Sequence, residues 1–209
     1  MRLPRRPHRA ALWAGAAGPV GFVAVCLLLA VVRHDVIVRQ GWVSWPSSMA
    51  LGGVPGAPMV AAFLWLGSCY AVFALGALRP AAISSLAVGG YLVSAAGDLM
   101  LAFPTDAPGS TTSWHGAVHL AGVVVATTGT LLVATGLLRA TGGRGAWRPL
   151  RPAVAVLVIA TVIGVAAGFD AGWAKAAYVV GITLPAAAVP WCLRRHLRAE
   201  PGPNRAGLT

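Results

Sequence analysis

The chain has 209 residues, 57% of them hydrophobic and only 10% charged, with a mean hydropathy of +0.75. A water-soluble domain carries about 25% charged residues and has nowhere to hide so much apolar surface, so composition excludes that class and selects a bilayer as solvent. The net charge of +11, from 16 Lys+Arg against 5 Asp+Glu, sits between apolar runs instead of on one basic face; it reads as membrane topology, and no nucleic-acid partner is expected.

The first twelve residues form a basic N-terminus with Arg2, Arg5, Arg6 and Arg9. The apolar run that follows, about Trp13–Val32, has the ~20 residues a span needs and exceeds a signal-peptide core, so an uncleaved first span is expected. Five more runs follow: about Met59–Leu78, Ala81–Phe103, His115–Leu138, Ala153–Phe169 and Gly172–Leu193. Each is near the length that a hydrocarbon core of ~30 Å demands of a helix. Lipid offers no partner to backbone groups outside a helix or a closed barrel, and continuous rather than alternating apolarity rules out the barrel. The expected fold is therefore all-α: a polytopic transmembrane helix bundle of six spans over 13–199, with a disordered cytoplasmic tail at 200–209. Arg79-Pro80, Pro104, Ser113 as an N-cap and Pro152 at a first turn mark helix ends.

Arginine placement gives the bundle a direction. One side collects Arg2, Arg5, Arg6, Arg9, Arg79, Arg139, Arg144, Arg148, Arg151, Arg194, Arg195, Arg198 and Arg205; the other has Arg33, Arg39 and Lys175. Positive residues stay inside, so both termini are expected in the cytoplasm of a multi-pass cell-membrane protein, most simply a bacterial plasma membrane. Trp42, Trp45, Trp114 and Trp173 then mark the outer interface, and Trp13, Trp147 and Trp191 the inner one. The longest connection, about His34 to Pro58, lies outside; its Trp and Val residues predict packing on the bundle mouth. Cys26, Cys69 and Cys192 are far apart in apolar runs and read as small apolar residues.

An ionisable residue inside a span is costly, so each is a functional suspect. Asp98 lies five residues before Phe103, roughly 8 Å below the outer boundary at the helical rise. His115 and His119 open the fourth run, one turn apart on one face. His119 comes six residues after Ser113, roughly 9 Å inside. Similar depths on consecutive antiparallel helices predict that Asp98 and His119 approach each other, with Asp106 in the short outer turn. Gly90, Ser94 and Asp98 share a face of the third run, and His115, His119, Gly122, Ala126 and Gly129 a face of the fourth; small residues let membrane helices close up. A second polar spot falls at Asp170, Trp173, Lys175 and Tyr178, expected to be a solvated turn.

Three readings of the Asp98, Asp106, His115 and His119 cluster stay open. It is a polar clamp between helices; or Asp98, His115 and His119 are a zinc set, weakened because no glutamate follows the first histidine; or the residues line an outward-facing pocket for a proton, a small ligand or a lipid headgroup. The zinc reading makes the protein a metal-dependent membrane-embedded hydrolase. The clamp makes it a structural or partner-binding membrane subunit. The pocket reading is preferred, with no cofactor and no assigned reaction, and oligomeric state is not encoded.

The stretch Gly97-Asp98-Leu99-Met100-Leu101-Ala102-Phe103-Pro104-Thr105-Asp106, followed by His115-Gly116-Ala117-Val118-His119, resembles the domain-of-unknown-function 998 family of six-span prokaryotic membrane proteins. The resemblance implies a Phe-Pro-x-Asp turn leading into a His-x-x-x-His helix start, with Ser44 in the family's Ser-containing outer segment. It implies no activity. The family's acidic-basic pair at the last outer turn has only the separated Asp170 and Lys175 to match it. A more distant likeness is to membrane hydrolases of the alkaline ceramidase and adiponectin-receptor type, whose zinc takes three histidines. Here Asp98, His115 and His119 match part of that set, while His8, His34 and His196 fall outside the spans.

Overall fold

The computed structural model describes residues 8–40, 47–50, 56–81, 83–107, 110–141, 152, 154–156, 159 and 187–195. All regular elements among them are helical. In chain order they are α1 (Arg9–Val32), α2 (His34–Gln40), a 3-10 turn (Ser47–Ala50), α3 (Ala57–Phe73), α4 (Ser85–Leu101) and α5 (Trp114–Thr141), with a further helical segment at 187–195. Three helices, Arg9–Val32, Ala57–Leu78 and Trp114–Ala140, are long and apolar enough to cross a membrane, and Ser85–Leu101 is a shorter apolar helix. Most of the expected fifth and sixth runs lies outside the described residues, as do Asp170, Trp173, Lys175 and Tyr178.

Local chemistry sets the ends. Ser84 is the N-cap of α4 and accepts from the Ala87 N–H at 3.2 Å, so the helix starts four residues later than the Ala81 expected from hydropathy. A proline in the first turn of α3 loses no helical hydrogen bond there. That helix finishes in a π-helical turn, Ala74–Leu78, before Arg79-Pro80, and the Gly76 carbonyl at its end accepts from the His8 N–H at 3.0 Å. The stretch after Val32, expected to be a connection, instead opens with helix α2, where Asp35 pairs with Arg39 one turn on and with Arg33. Hydropathy windows miss so short a helix. Its Val36 and Ile37, and Met49 and Ala50 of the 3-10 turn, are buried in the common core, so these parts of the connection do pack on the bundle.

Small residues decide how the helices pair. Antiparallel to α3, α1 brings Gly15 against Phe73, Gly18 against Cys69 and Gly21 against Trp65, whose indole N–H donates to the Ala17 carbonyl. The tightest pair is α4 with α5. Gly136 meets Ala87, Gly129 meets Ser94 and Gly90, and Gly97 meets Ala126, backbone against backbone. No Cβ fits at these glycines, and this close approach is how membrane helices gain contact without a hydrophobic drive between them. Half of the apolar window of α3 is buried, against a third in α1 and α5, and among the described helices α3 packs against both α1 and α4. The outward faces carry Leu27, Leu28, Val31, Leu120 and Val124, an apolar surface that lipid tolerates and water does not.

Candidate functional site

The polar residues of the sequence cluster divide into two layers. The upper layer is the turn from α4 into α5. Helix ends leave N–H and C=O groups without intrahelical partners, and here the cluster supplies them. Asp106 accepts from the Ser113 N–H at 2.8 Å and from the Ser113 hydroxyl at 2.7 Å. Ser113, as expected, is the N-cap of α5 and accepts from the Gly116 N–H at 3.1 Å. His115 Nδ1 lies 2.7 Å from Ser113 Oγ and 3.1 Å from the Pro104 carbonyl. His119 Nδ1 lies 2.8 Å from the Phe103 carbonyl.

These partners fix the tautomers. A carbonyl only accepts, so each histidine carries its proton on Nδ1 and leaves a lone pair on Nε2 when neutral. The His-x-x-x-His spacing thus lets two rings on one face of α5 bind two successive carbonyls beyond the end of α4. Ser113, His115 and Asp106 make up a Ser-His-Asp set in composition only. The Ser113 hydroxyl gives its proton to Asp106 and accepts from both His115 and Gly116, so its lone pairs are occupied and it is no nucleophile in this arrangement.

Asp106 is held below the usual carboxylate range, first by the hydrogen bond from the Ser113 hydroxyl, then by the Ser113 N–H, with partial burial opposing and the nearby His115 assisting. His115 Nδ1 stands 3.8 Å from Asp106 Oδ1. A lowered folded-state value means that the cap contributes stability above the unfolded carboxylate pKa of about 3.9 and loses it as pH falls through the lower folded value. Amide exchange at the start of α5 is expected to speed up in that acidic window, and Asp106→Asn is expected to remove the step. Gly116 belongs to the same cap: a Cβ there would land on Asp106 Oδ2. Gly116→Ala should therefore expel the carboxylate from the cap, read as faster amide exchange at Ser113.

The lower layer is Asp98. Gly122 packs at Met100 and Leu101, and His119 binds Phe103, so His119 lies beside the end of α4, and Asp98 lies three residues before that end, about 4.5 Å deeper at the helical rise. Both residues are buried, His119 to 4% and Asp98 to 5% exposure. They face the same helix: Phe63 of α3 meets the His119 ring edge-on at 6.0 Å, and Gly67, one turn along, lies against the Asp98 Cβ. Asp98 Oδ2 is buried and has no hydrogen-bond partner among the described residues; the Tyr91 hydroxyl, two turns along α4, is in the same condition. Tyr70 of α3 packs edge-on against Tyr91 at 5.3 Å and interacts electrostatically with Asp98. A polar seam therefore runs from the α4–α5 mouth to the middle of the α3–α4 interface.

Sequence reasoning did not single out Tyr91, Gly67 or Gly116. Tyr91 sits seven residues before Asp98 on one helical face, which was available as a signal; the contact of Asp98 with α3 rather than α5 was not. Among the described residues no group of three His, Cys, Asp or Glu side chains converges as a metal ion would require. In comparisons with known proteins, no protein-family model, no curated protein and no solved structure matches this chain.

Proposed function

We propose that this chain is a multi-pass membrane protein of six spans, with both termini in the cytoplasm, that binds a proton or a small hydrogen-bond-donating ligand at Asp98, entered past His119 at an outer mouth built by Asp106 and His115. The observation that carries this reading is the buried Asp98 oxygen, which has no donor among the described residues. Leaving a buried acceptor unpaired costs about 1–3 kcal/mol, which a helix clamp would have no reason to retain and a binding group would recover when occupied.

The orientation has its own support. Arg9, Arg79, Arg139, Arg194 and Arg195 gather at the end where α1 starts and α3 and α5 finish, and among the described residues none has an acidic partner. At the opposite end Arg33 and Arg39 are both tied to Asp35. That asymmetry is the positive-inside pattern. Kinship with the domain-of-unknown-function 998 family is part of the same proposal and rests on the Phe103-Pro104 turn and the two histidines that bind its carbonyls. No specific observation favours the metal-dependent hydrolase.

A lipid-soluble carbodiimide tests the reading. It adds to a carboxylic acid to give an N-acylurea of known mass. In native membranes we expect Asp98 to be labelled at a rate that changes with pH, while a water-soluble carbodiimide labels Asp35 and Asp106 in preference. Labelling of Asp98 by neither reagent at any pH would count against an exchangeable site.

A further inference from the structure

The arginine-rich end of the bundle holds a second feature, separate from the Asp98 seam. The guanidinium of Arg194 lies over the Trp13 ring of α1 at 5.0 Å, and that of Arg195 over the Trp191 ring at 4.8 Å. Both indoles are largely exposed, Trp13 to 61% and Trp191 to 54%. The segment 187–195 is fixed on α1 beside them, because Pro190 fills the space over Gly15. Arg9 lies on the first turn of α1, one helical turn before Trp13. Among the described residues no carboxylate pairs with Arg9, Arg194 or Arg195.

Stacking occupies the face of a guanidinium and leaves its N–H edge open, the edge that binds phosphate oxygens in a fork. Two such edges, one beside an indole of α1 and one beside an indole of the 187–195 segment, lie where tryptophan sits among headgroups. A solvated arginine at a water interface has no need of an indole to hold it. We propose that Trp13, Trp191, Arg194 and Arg195 form a binding site for the headgroup phosphate of an anionic phospholipid in the cytoplasmic leaflet. The proposal rests on the membrane reading above and not on the Asp98 site. The occupant is a lipid and not a free phosphate because the indoles are exposed on the outer surface of an apolar bundle, where an acyl chain can lie alongside them.

The test uses the full chain in nanodiscs of phosphatidylcholine containing a rising fraction of phosphatidylglycerol, each lipid supplied in turn with brominated acyl chains that quench tryptophan. Brominated phosphatidylglycerol is expected to quench saturably and beyond its bulk fraction, and brominated phosphatidylcholine is not. Each arginine near a membrane surface contributes enough that Arg194→Gln should weaken the preference about fivefold, and Arg194→Gln with Arg195→Gln more. Arg194→Lys with Arg195→Lys keeps the charge and loses the fork, and should fall between. Soluble glycerol phosphate is expected not to compete; competition would overturn the lipid in favour of a free phosphate. Equal preference in the parent and the double glutamine variant, with helical content unchanged, would overturn the site. Extraction of the parent chain from native membranes by alkaline carbonate would overturn the membrane reading itself, so the two failures are distinguishable.

Discussion

Gly129→Leu is expected to part α4 from α5 and to be strongly destabilising. A Cβ at Gly129 meets the backbone nitrogen and hydroxyl of Ser94 and the carbonyl of Gly90 at 2.7 Å. These are mostly backbone atoms, which cannot swing aside as a side chain would. Overpacking in a side-chain core costs about 1–3 kcal/mol; against backbone the upper part of that range is the expected minimum. The shift also breaks the Ser94 hydroxyl's bond to the Ala126 carbonyl at 3.3 Å. Gly89→Ala, on the partner helix α4, is the control: a Cβ there meets nothing within 4 Å. It should leave stability unchanged or raise it by up to about 1 kcal/mol through helix propensity. Thermal unfolding in matched detergent, followed by circular dichroism, checks both. A Gly129→Leu melting curve equal to the parent's would mean that α4 and α5 are not packed as described.

This pair also shows what could be read in the sequence. The facing positions Gly90, Ser94, Gly122, Ala126 and Gly129 are legible because small residues at helical spacing have one use in an apolar helix, which is close approach. The N-cap at Ser113 is legible because a short hydroxyl before an apolar run satisfies helix N–H groups. The partner of Asp98 was not legible. Which helix the carboxylate's side of α4 meets is seen only once the helices are packed, where Gly67 of α3 lies against the Asp98 Cβ. Nor were the histidine partners legible. Backbone carbonyls leave no mark in residue identity, so two rings that bind Phe103 and Pro104 look in sequence like two ligands awaiting a metal. The short helix α2 was missed because seven residues are too few to give a hydropathy signal.

Asp98→Leu is expected to stabilise the resting protein while removing its response to protons or ligand. Leucine has the branching of aspartate and no polar atom to strand. The parent carries the Asp98 oxygen buried and without a donor among the described residues, so replacement relieves about 1–3 kcal/mol, less whatever the extra methyl volume against Gly67 takes back. A clamp between helices predicts the reverse, a loss of similar size. Asp98→Asn separates charge from shape: it should leave the fold intact and abolish pH-dependent labelling. His119→Ala removes the bond to the Phe103 carbonyl and should loosen the mouth, raising the rate at which a lipid-soluble reagent reaches Asp98 without changing its final extent.

The most direct measurement is the infrared carboxyl spectrum of the protein in nanodiscs, recorded from roughly pH 5 to pH 10 and compared with Asp98→Asn, a range that brackets the ordinary titration of histidine. The account predicts a carboxylic C=O band that belongs to Asp98, is missing from the variant, and changes in intensity or position across the range. An Asp98 band that stays the same at every pH, together with a loss of stability in Asp98→Leu, would contradict it and leave Asp98 as a fixed clamp between α3 and α4.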